Sequence, residues 1–276
     1  MASVEWFRHP ELRSPVSIIA FSGWGDAGNC STSAAAHLIA SIEGDAFALI
    51  DPDEFYNFTD TRPQVEFVDS GMRTVHWPRN EFHALHLPDR DLIVMLGEEP
   101  NMRWRVFGEA VAEVLGATGV ERVILLGAFL GQVPHSQPTP LVGSSPNLGL
   151  LTRYGIAPSN YEGPTGIVGV LTQQLGESGF DTMSIWAAVP HYLGGAEYPP
   201  ATYALVRKAG EVLGIDVAAS QLAAASIEFR LSVDAALARN EELTQYVRKL
   251  EADMEQESRN TTDGLVDEIE RFLKDH

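Results

Sequence analysis

Cysteine is almost absent from this sequence, because Cys30 is the only one among 276 residues. A single cysteine excludes an intramolecular disulfide and is typical of a protein in a reducing compartment, so we expect a cytoplasmic location. We interpret Cys30 as a small apolar residue near the start of the first helix, with a reactive thiol as the alternative.

Basic residues are also scarce, since 19 Lys and Arg stand against 38 Asp and Glu, for a formal net charge of −19. A chain without a basic stripe cannot neutralise phosphates, so the composition predicts no nucleic-acid partner and no binding to an anionic membrane surface. No apolar run approaches the length of about 20 residues that spans a bilayer, and the N-terminus lacks the apolar core of a signal peptide. We therefore expect no membrane association.

The familiar catalytic signatures are missing as well. The sequence has no G-x-S-x-G elbow, Walker loop, C-x-x-C pair or H-E-x-x-H helix, which are the marks of common hydrolase, P-loop and zinc mechanisms. His83 and His86 are three residues apart but have no third ligand nearby, so a solvated pair is favoured over a metal site. We predict neither a metal nor a cofactor.

One stretch near the start organises what is present. Residues 16–21 form an apolar run bounded by a proline and a glycine cluster, which predicts a strand buried on both faces. A turn containing Gly23, Gly25 and Gly28 follows, and residues 31–39 have the pattern of a helix. In open α/β sheets ligands bind beyond the carboxyl ends of such strands, so this turn is a candidate anion-binding site.

The three glycines also satisfy the G-x-G-x-x-G dinucleotide pattern, and Asp51 follows Gly28 at about the expected offset of 20 residues. Asp26 would place a carboxylate where the pyrophosphate should meet bare backbone N–H groups. Trp24 is bulky for a loop that phosphates approach closely. We therefore disfavour a nicotinamide or flavin site, although a tight turn alone does not explain Trp24 and Asp26.

Strand and helix patterns alternate along the first two-thirds of the chain. Strands are predicted at 47–50, 91–96, 122–129 and 182–189, helices at 107–115 and 167–175, and a hairpin within 61–90. This alternation predicts an α/β fold with a mainly parallel sheet and helices on both faces. From Pro199 onward only helices are predicted, which divides the chain into an α/β core domain at 1–198 and a helical C-terminal region at 199–276.

An apolar seam in that C-terminal region needs a covering surface. Leu243, Val247, Leu250 and Met254 recur at helical spacing, and a second seam lies within 262–274. The cover is either the core of the same chain or a second subunit, and we expect a homo-oligomer.

Polar residues of functional type gather where the predicted strands end. In a parallel sheet these ends share one edge, so we expect one polar cleft there. A carboxylate and a histidine facing such a crevice can act as general base and acid. The candidate cleft residues are Trp24, Asp26, Glu98, Glu99, His135, Glu162 and His191.

Five motifs in chain order carry a family resemblance. They are F-S-G-W-G-D-A-G at 21–28, L-G-E-E-P at 96–100, P-H-S-Q-P at 134–138, Y-E-G-P-T-G at 161–166 and W-A-A-V-P-H-Y at 186–192. Together they resemble the proteasome assembly chaperone 2 family in its actinobacterial branch, over nearly the whole chain. The resemblance implies a three-layer, phosphorylase/hydrolase-like α/β fold, frequent oligomerisation and a link to proteasome subunits, because eukaryotic members are chaperones of proteasome α-ring assembly.

Two functional interpretations follow. We favour a non-catalytic binding or assembly factor, because of the resemblance and the missing catalytic motifs. The alternative is a nucleoside-phosphorylase-like or hydrolase-like enzyme that uses the polar cleft at the strand ends.

Overall fold

Eleven strands are present in the computed structural model, which describes residues 4–68 and 71–256. In chain order the strands are β1 (Val4–Trp6), β2 (Val16–Ser22), β3 (Gly44–Ile50), β4 (Gln64–Phe67), β5 (Arg73–His76), β6 (Asn80–His86), β7 (Asp91–Glu98), β8 (Arg122–Gly131), β9 (Leu141–Ser144), β10 (Ala157–Pro158) and β11 (Asp181–Pro190). Nine of them form one sheet in the order β1-β3-β6-β7-β2-β8-β11-β9-β10, while β4 and β5 pair separately.

Strand β2 lies at the centre of the large sheet, and nearly all of its residues are buried, as its apolar run predicted. It pairs in parallel with β7 on one side and β8 on the other, and β8 pairs in parallel with β11. The flanking strands β3, β6 and β9 run antiparallel to their inner neighbours. The sheet therefore has a parallel centre and antiparallel flanks.

Helices cover both faces of the sheet. They are α1 (Cys30–Ser41), α2 (Trp104–Ala117), α3 (Leu148–Arg153), α4 (Ile167–Glu177), α5 (Pro199–Leu213), α6 (Ser220–Leu237) and α7, which is helical from 241 to 256. One face of the sheet packs against α1, α3 and α5, and the other packs against α2 and α4. The predicted three-layer α/β fold is confirmed.

The C-terminal region is helical in its described part, as predicted. Helix α5 belongs to the same buried cluster as β2 and α1, so this helix is part of the layer that covers the sheet. The domain boundary at residue 198 stays a prediction, and the second seam within 262–274 lies outside the described residues. Within the described residues, no helix combines the length and the apolar character needed to span a bilayer.

Two segments refine the prediction for residues 61–90. The hairpin is present as β4 and β5. Strand β6 was not predicted. It is an antiparallel strand of the main sheet and contains His83 and His86, the histidine pair interpreted as solvated. His83 lies 3.5 Å from a Glu81 carboxylate oxygen and His86 lies 3.3 Å from an Asp91 carboxylate oxygen. Among the described residues, no cluster of three or more metal-ligating side chains is present.

Candidate functional site

A cleft of about 440 Å³ opens between the carboxyl ends of β2 and β7. Helix α1 follows β2 on one face of the sheet, whereas α2 follows β7 on the opposite face. Strands whose following helices diverge in this way leave a crevice at the sheet edge, which is where ligands bind in open α/β folds. The cleft is lined by Ser22, Gly23, Asp60, Thr61, Glu98, Glu99, Pro100, Asn101 and Trp104.

Glu98 is the one carboxylate of the predicted set that faces this cleft without a hydrogen-bond partner in the described part of the chain. Its backbone carbonyl accepts a hydrogen bond of 2.5 Å from the Tyr56 hydroxyl, which fixes the strand end beneath it. Partial burial raises the pKa of the Glu98 carboxyl, because the charged form is less well solvated there. Glu98 is therefore available to a ligand.

The Glu99 carboxylate, in contrast, accepts hydrogen bonds from backbone groups of the protein itself. One carboxylate oxygen accepts a hydrogen bond of 2.8 Å from the Ile167 backbone N–H at the start of α4. The other accepts a bond of 3.2 Å from the Trp24 N–H in the turn after β2. Glu99 thus links two neighbouring loops and satisfies a backbone donor that the helix start leaves free. The Trp24 ring itself is 64% exposed.

Asp26 has the same kind of role at the start of α1. It is buried, and one of its oxygens accepts bonds of 2.7 and 2.6 Å from the Ser31 backbone N–H and hydroxyl. Its other oxygen accepts a bond from the Thr32 hydroxyl. The carboxylate therefore occupies the helix N-terminus that the sequence suggested for an external anion.

The glycines of this turn are explained by close packing and backbone geometry. Gly23 and Gly28 have φ values of +128° and +62°, which side-chain-bearing residues rarely adopt. Gly25 lies beneath the Trp186 ring, where an added Cβ would come within 3.1 Å of the indole. The neighbouring thiol of Cys30 is buried, and burial followed by the charge of Asp26 raises its pKa to about 12. A neutral, enclosed thiol is consistent with a packing role.

His135 lies in a different place, beneath the C-terminal helices. It is 1% exposed, its backbone N–H donates a bond of 2.8 Å to the Tyr192 hydroxyl, and its Nε2 lies 3.0 Å from an Asp234 carboxylate oxygen in α6. The Tyr192 oxygen is also 2.7 Å from Nδ1. The two ring nitrogens of His135 thus both have a partner, and which of them donates depends on the histidine tautomer.

His191 joins the same group of contacts. Its Nδ1 lies 3.1 Å from the Gly131 carbonyl oxygen, and its Nε2 lies 3.1 Å from the Tyr246 hydroxyl in α7. The Ser136 hydroxyl donates to Glu251, also in α7. Burial raises the pKa of the Tyr192 hydroxyl to about 12, so this side chain keeps its proton at neutral pH. We call His135, Tyr192, Asp234, His191 and Tyr246 the helix clasp.

The residues that were predicted to line one cleft thus form two separate groups in the structure. Glu98, Glu99 and Trp24 lie at the edge between β2, β7 and α4, whereas the two histidines lie in the helix clasp. Asp26 is enclosed at α1, and Glu162 is exposed in the loop before α4. A shared sheet edge does not place these residues in one pocket, because α6 and α7 bond the loops after β8 and β11 whereas the cleft opens between β2 and β7.

The functional residues that the sequence interpretation missed come from distant segments. Asp60, Thr61 and Asn101 complete the cleft, and Asp234 and Tyr246 complete the helix clasp. Asp234 is 99 residues from His135 in the chain, and no spacing rule connects two positions that far apart.

We predict that Asp26→Ala lowers the free energy of unfolding by about 1–3 kcal/mol, because the N–H and hydroxyl groups at the start of α1 lose their buried acceptor. Urea denaturation measures this directly. Glu162→Ala is the control, and we expect it to stay within about 0.5 kcal/mol of the wild type because its carboxylate is exposed. Equal stability of the two variants would contradict the capping role.

Comparison with known proteins agrees with this architecture. The model of the PAC2 family matches residues 20–237. A PAC2 family protein from Streptomyces avermitilis is 35% identical over 84% of this chain and 99% of its own, with a TM-score of 0.79. The proteasome-assembly chaperone homologue of Mycobacterium tuberculosis is also 35% identical, with the same coverage and a TM-score of 0.78.

A second Mycobacterium tuberculosis protein, described as of unknown function, is 26% identical over 95% of this chain and 92% of its own, with a TM-score of 0.86. Comparison with curated proteins gives no match. The family match covers more than half of the chain and extends from the central strand of the sheet to the end of α6. This chain belongs to the PAC2 family.

Proposed function

We propose that this protein is a non-catalytic binding or assembly factor that associates with itself and with proteasome subunits in the cytoplasm. Its 35% identity to a protein named as a proteasome-assembly chaperone homologue supports the choice of partner. The single cysteine and the net charge of −19 support a reducing compartment and a protein partner rather than a nucleic acid.

The observation that carries the proposal is that side chains of catalytic type form hydrogen bonds within the fold. Asp26 and Glu99 accept hydrogen bonds from the starts of α1 and α4, and His135 holds α6. General acid–base catalysis needs a titratable side chain that can reach the substrate and exchange a proton with it. Of the predicted set, only Glu98 faces the cleft without an internal partner among the described residues, so the predicted pairing of a carboxylate with a histidine in one cleft is not supported.

Exposed apolar side chains on the same edge support a binding role. Trp24 and Leu130 are each more than half exposed and lie at the carboxyl ends of the parallel strands β2 and β8, and the equally exposed Tyr161 lies in the loop before α4. Exposed aromatic and aliphatic side chains at one edge can serve as contacts for a protein partner.

Co-expression with 20S proteasome α and β subunits from the same organism tests this proposal. We expect the tagged protein to retain α subunits and not β subunits, and to appear with them in one peak on size-exclusion chromatography. Glu98→Gln is the matched control, because a non-catalytic factor should bind equally well without the one available carboxylate. Failure to retain either subunit contradicts the proposed partner.

A second candidate function rests on Glu98 and the cleft around it. A half-buried carboxylate of raised pKa without an internal partner is suited to bind a polar ligand or to act as a general base. The cleft residues include three carboxylates, Asp60, Glu98 and Glu99, and no basic side chain. This lining favours hydrolase-like chemistry on a neutral or cationic compound over phosphorolysis, which needs a phosphate site.

A thermal-shift screen distinguishes this candidate. If the cleft is a ligand site, a nucleoside or an amine should raise the melting temperature of the wild type and leave Glu98→Gln unchanged, whereas nucleotides and phosphate should have no effect. A carboxyl group whose pKa is raised in the folded protein destabilises the fold when it loses its proton. Wild type should therefore also lose stability relative to Glu98→Gln as pH rises through the raised pKa of Glu98. A complete absence of ligand shifts would leave the non-catalytic proposal as the better account.

A further inference from the structure

Two exposed aromatic side chains at the carboxyl edge of the sheet are held in position by the backbone around them. Trp24 is 64% exposed and Tyr161 is 63% exposed, and neither belongs to the two buried clusters of the described residues. The Trp24 backbone N–H donates to Glu99, and the Tyr161 hydroxyl donates a bond of 3.0 Å to the Pro164 carbonyl oxygen. Packing in the core therefore does not explain why these two rings are fixed.

Two glycines make room for the rings. At Gly166, an added Cβ would lie 3.2 Å from the Trp24 ring. At Gly163, an added Cβ would lie 2.7 Å from the Tyr161 hydroxyl oxygen. A side chain at either position would push the neighbouring ring away, so glycine lets the backbone support both rings from below. We call Trp24, Tyr161 and the segment 163–166 the aromatic platform.

Fixed aromatic rings on a surface are well suited to bind another protein. A ring that is already held in place loses little conformational freedom when a partner covers it. Tryptophan and tyrosine are also enriched among the few interface residues that carry most of the binding free energy. The Trp24 indole N–H has no acceptor among the described residues, so it can donate to a carbonyl oxygen of a partner.

The aromatic platform adjoins the part of the edge that the C-terminal helices leave open. Trp24 follows Gly23, which lines the cleft between β2 and β7. The described contacts of α6 and α7 with strand-end loops are made after β8 and β11 instead. A partner can therefore reach the aromatic platform without displacing these helices.

Charge indicates the kind of partner that fits. The platform comes from the segments 14–36 and 154–180, which contain no lysine, arginine or histidine but do contain Asp26, Glu162 and Glu177. Glu162 is exposed and lies next to Tyr161 in the chain. The whole chain carries a net charge of −19. A basic partner is attracted by this field, whereas an acidic one is repelled.

We infer that the aromatic platform is the docking site for a protein partner that presents an apolar side chain flanked by basic residues. The apolar side chain packs on the rings of Trp24 and Tyr161, and the basic residues lie beside Glu162. This inference rests on the proposed function, because it names the surface through which the assembly factor contacts its partner and the chemistry of the segment that docks there.

The affinity for purified 20S α subunits from the same organism tests the docking site. We expect Trp24→Ala to bind at least about 30-fold more weakly than wild type in biolayer interferometry, because it removes a central aromatic anchor. Leu148→Ala is the matched control, since Leu148 is 66% exposed on α3. It lies at the opposite edge of the sheet, because β9 runs antiparallel to β11, and its replacement should leave the affinity unchanged.

The outcomes separate the docking site from the proposed function. A wild type that does not bind α subunits contradicts the proposed function and with it the docking site. A wild type that binds, together with Trp24→Ala that binds as tightly, contradicts the docking site alone. Equal losses in Trp24→Ala and Leu148→Ala also contradict the docking site.

Charge reversal tests the chemistry of the partner. We expect Glu162→Lys to slow association with α subunits by about 3- to 10-fold at low salt, and the difference from wild type to shrink as the salt concentration rises. Unchanged or faster association of this variant contradicts a basic partner.

Site-specific photocrosslinking tests the docking site while the Trp24 anchor stays in place. A benzophenone amino acid is introduced at Tyr161 in one variant and at Leu148 in the other. We expect the first variant to crosslink to a purified α subunit and the second to remain uncrosslinked. Crosslinking that is no stronger from Tyr161 than from Leu148 contradicts the docking site.

Discussion

The backbone donors at the carboxyl edge of the parallel strands impose the main constraint on this structure. Each strand there gives way to a turn or a helix start, where N–H groups have no partner within the helix. Asp26 supplies the acceptor at α1 and Glu99 supplies it at α4. Because Glu99 also bonds the Trp24 N–H, it connects the turn after β2 with the start of α4 and fixes this wall of the cleft. Residues that resemble catalytic acids are thereby accounted for by the requirements of the fold.

The carboxyl edge of the parallel strands has two halves, of which one is covered by helices and the other is open. Over β8 and β11, the helix clasp attaches α6 and α7, and the middle of the predicted C-terminal seam, Val247 and Leu250, is buried within the chain itself. Over β2 and β7, the edge stays open and Glu98 remains available. One half is therefore closed by structure, and the other half can receive a partner or a ligand. The seam therefore gives less support to self-association than the sequence suggested.

Local patterns predicted the fold well where burial is on both faces. The apolar runs at 16–21, 91–96 and 122–129 were recognised because parallel strands between two helical layers must be apolar throughout. Strand β6 was missed because its seven residues include Asn80, Glu81 and two histidines, which mask the apolar positions Phe82, Ala84 and Leu85. The positions of the site residues along the chain were predicted, but their grouping was not. That grouping depends on Asp234 and Tyr246, whose contacts with the strand-end loops form only when the C-terminal helices fold back onto the sheet.

Native-state hydrogen exchange in His135→Phe tests the central claim, that a strand-end histidine holds the C-terminal helices rather than serving chemistry. Loss of the hydrogen bonds to Tyr192 and Asp234 should cost about 1–3 kcal/mol locally, which speeds exchange of the amides in α6 and α7 by about 5- to 150-fold. Exchange in β2 and β7 should stay as in wild type. Unchanged protection of α6 and α7 in the variant would contradict the account.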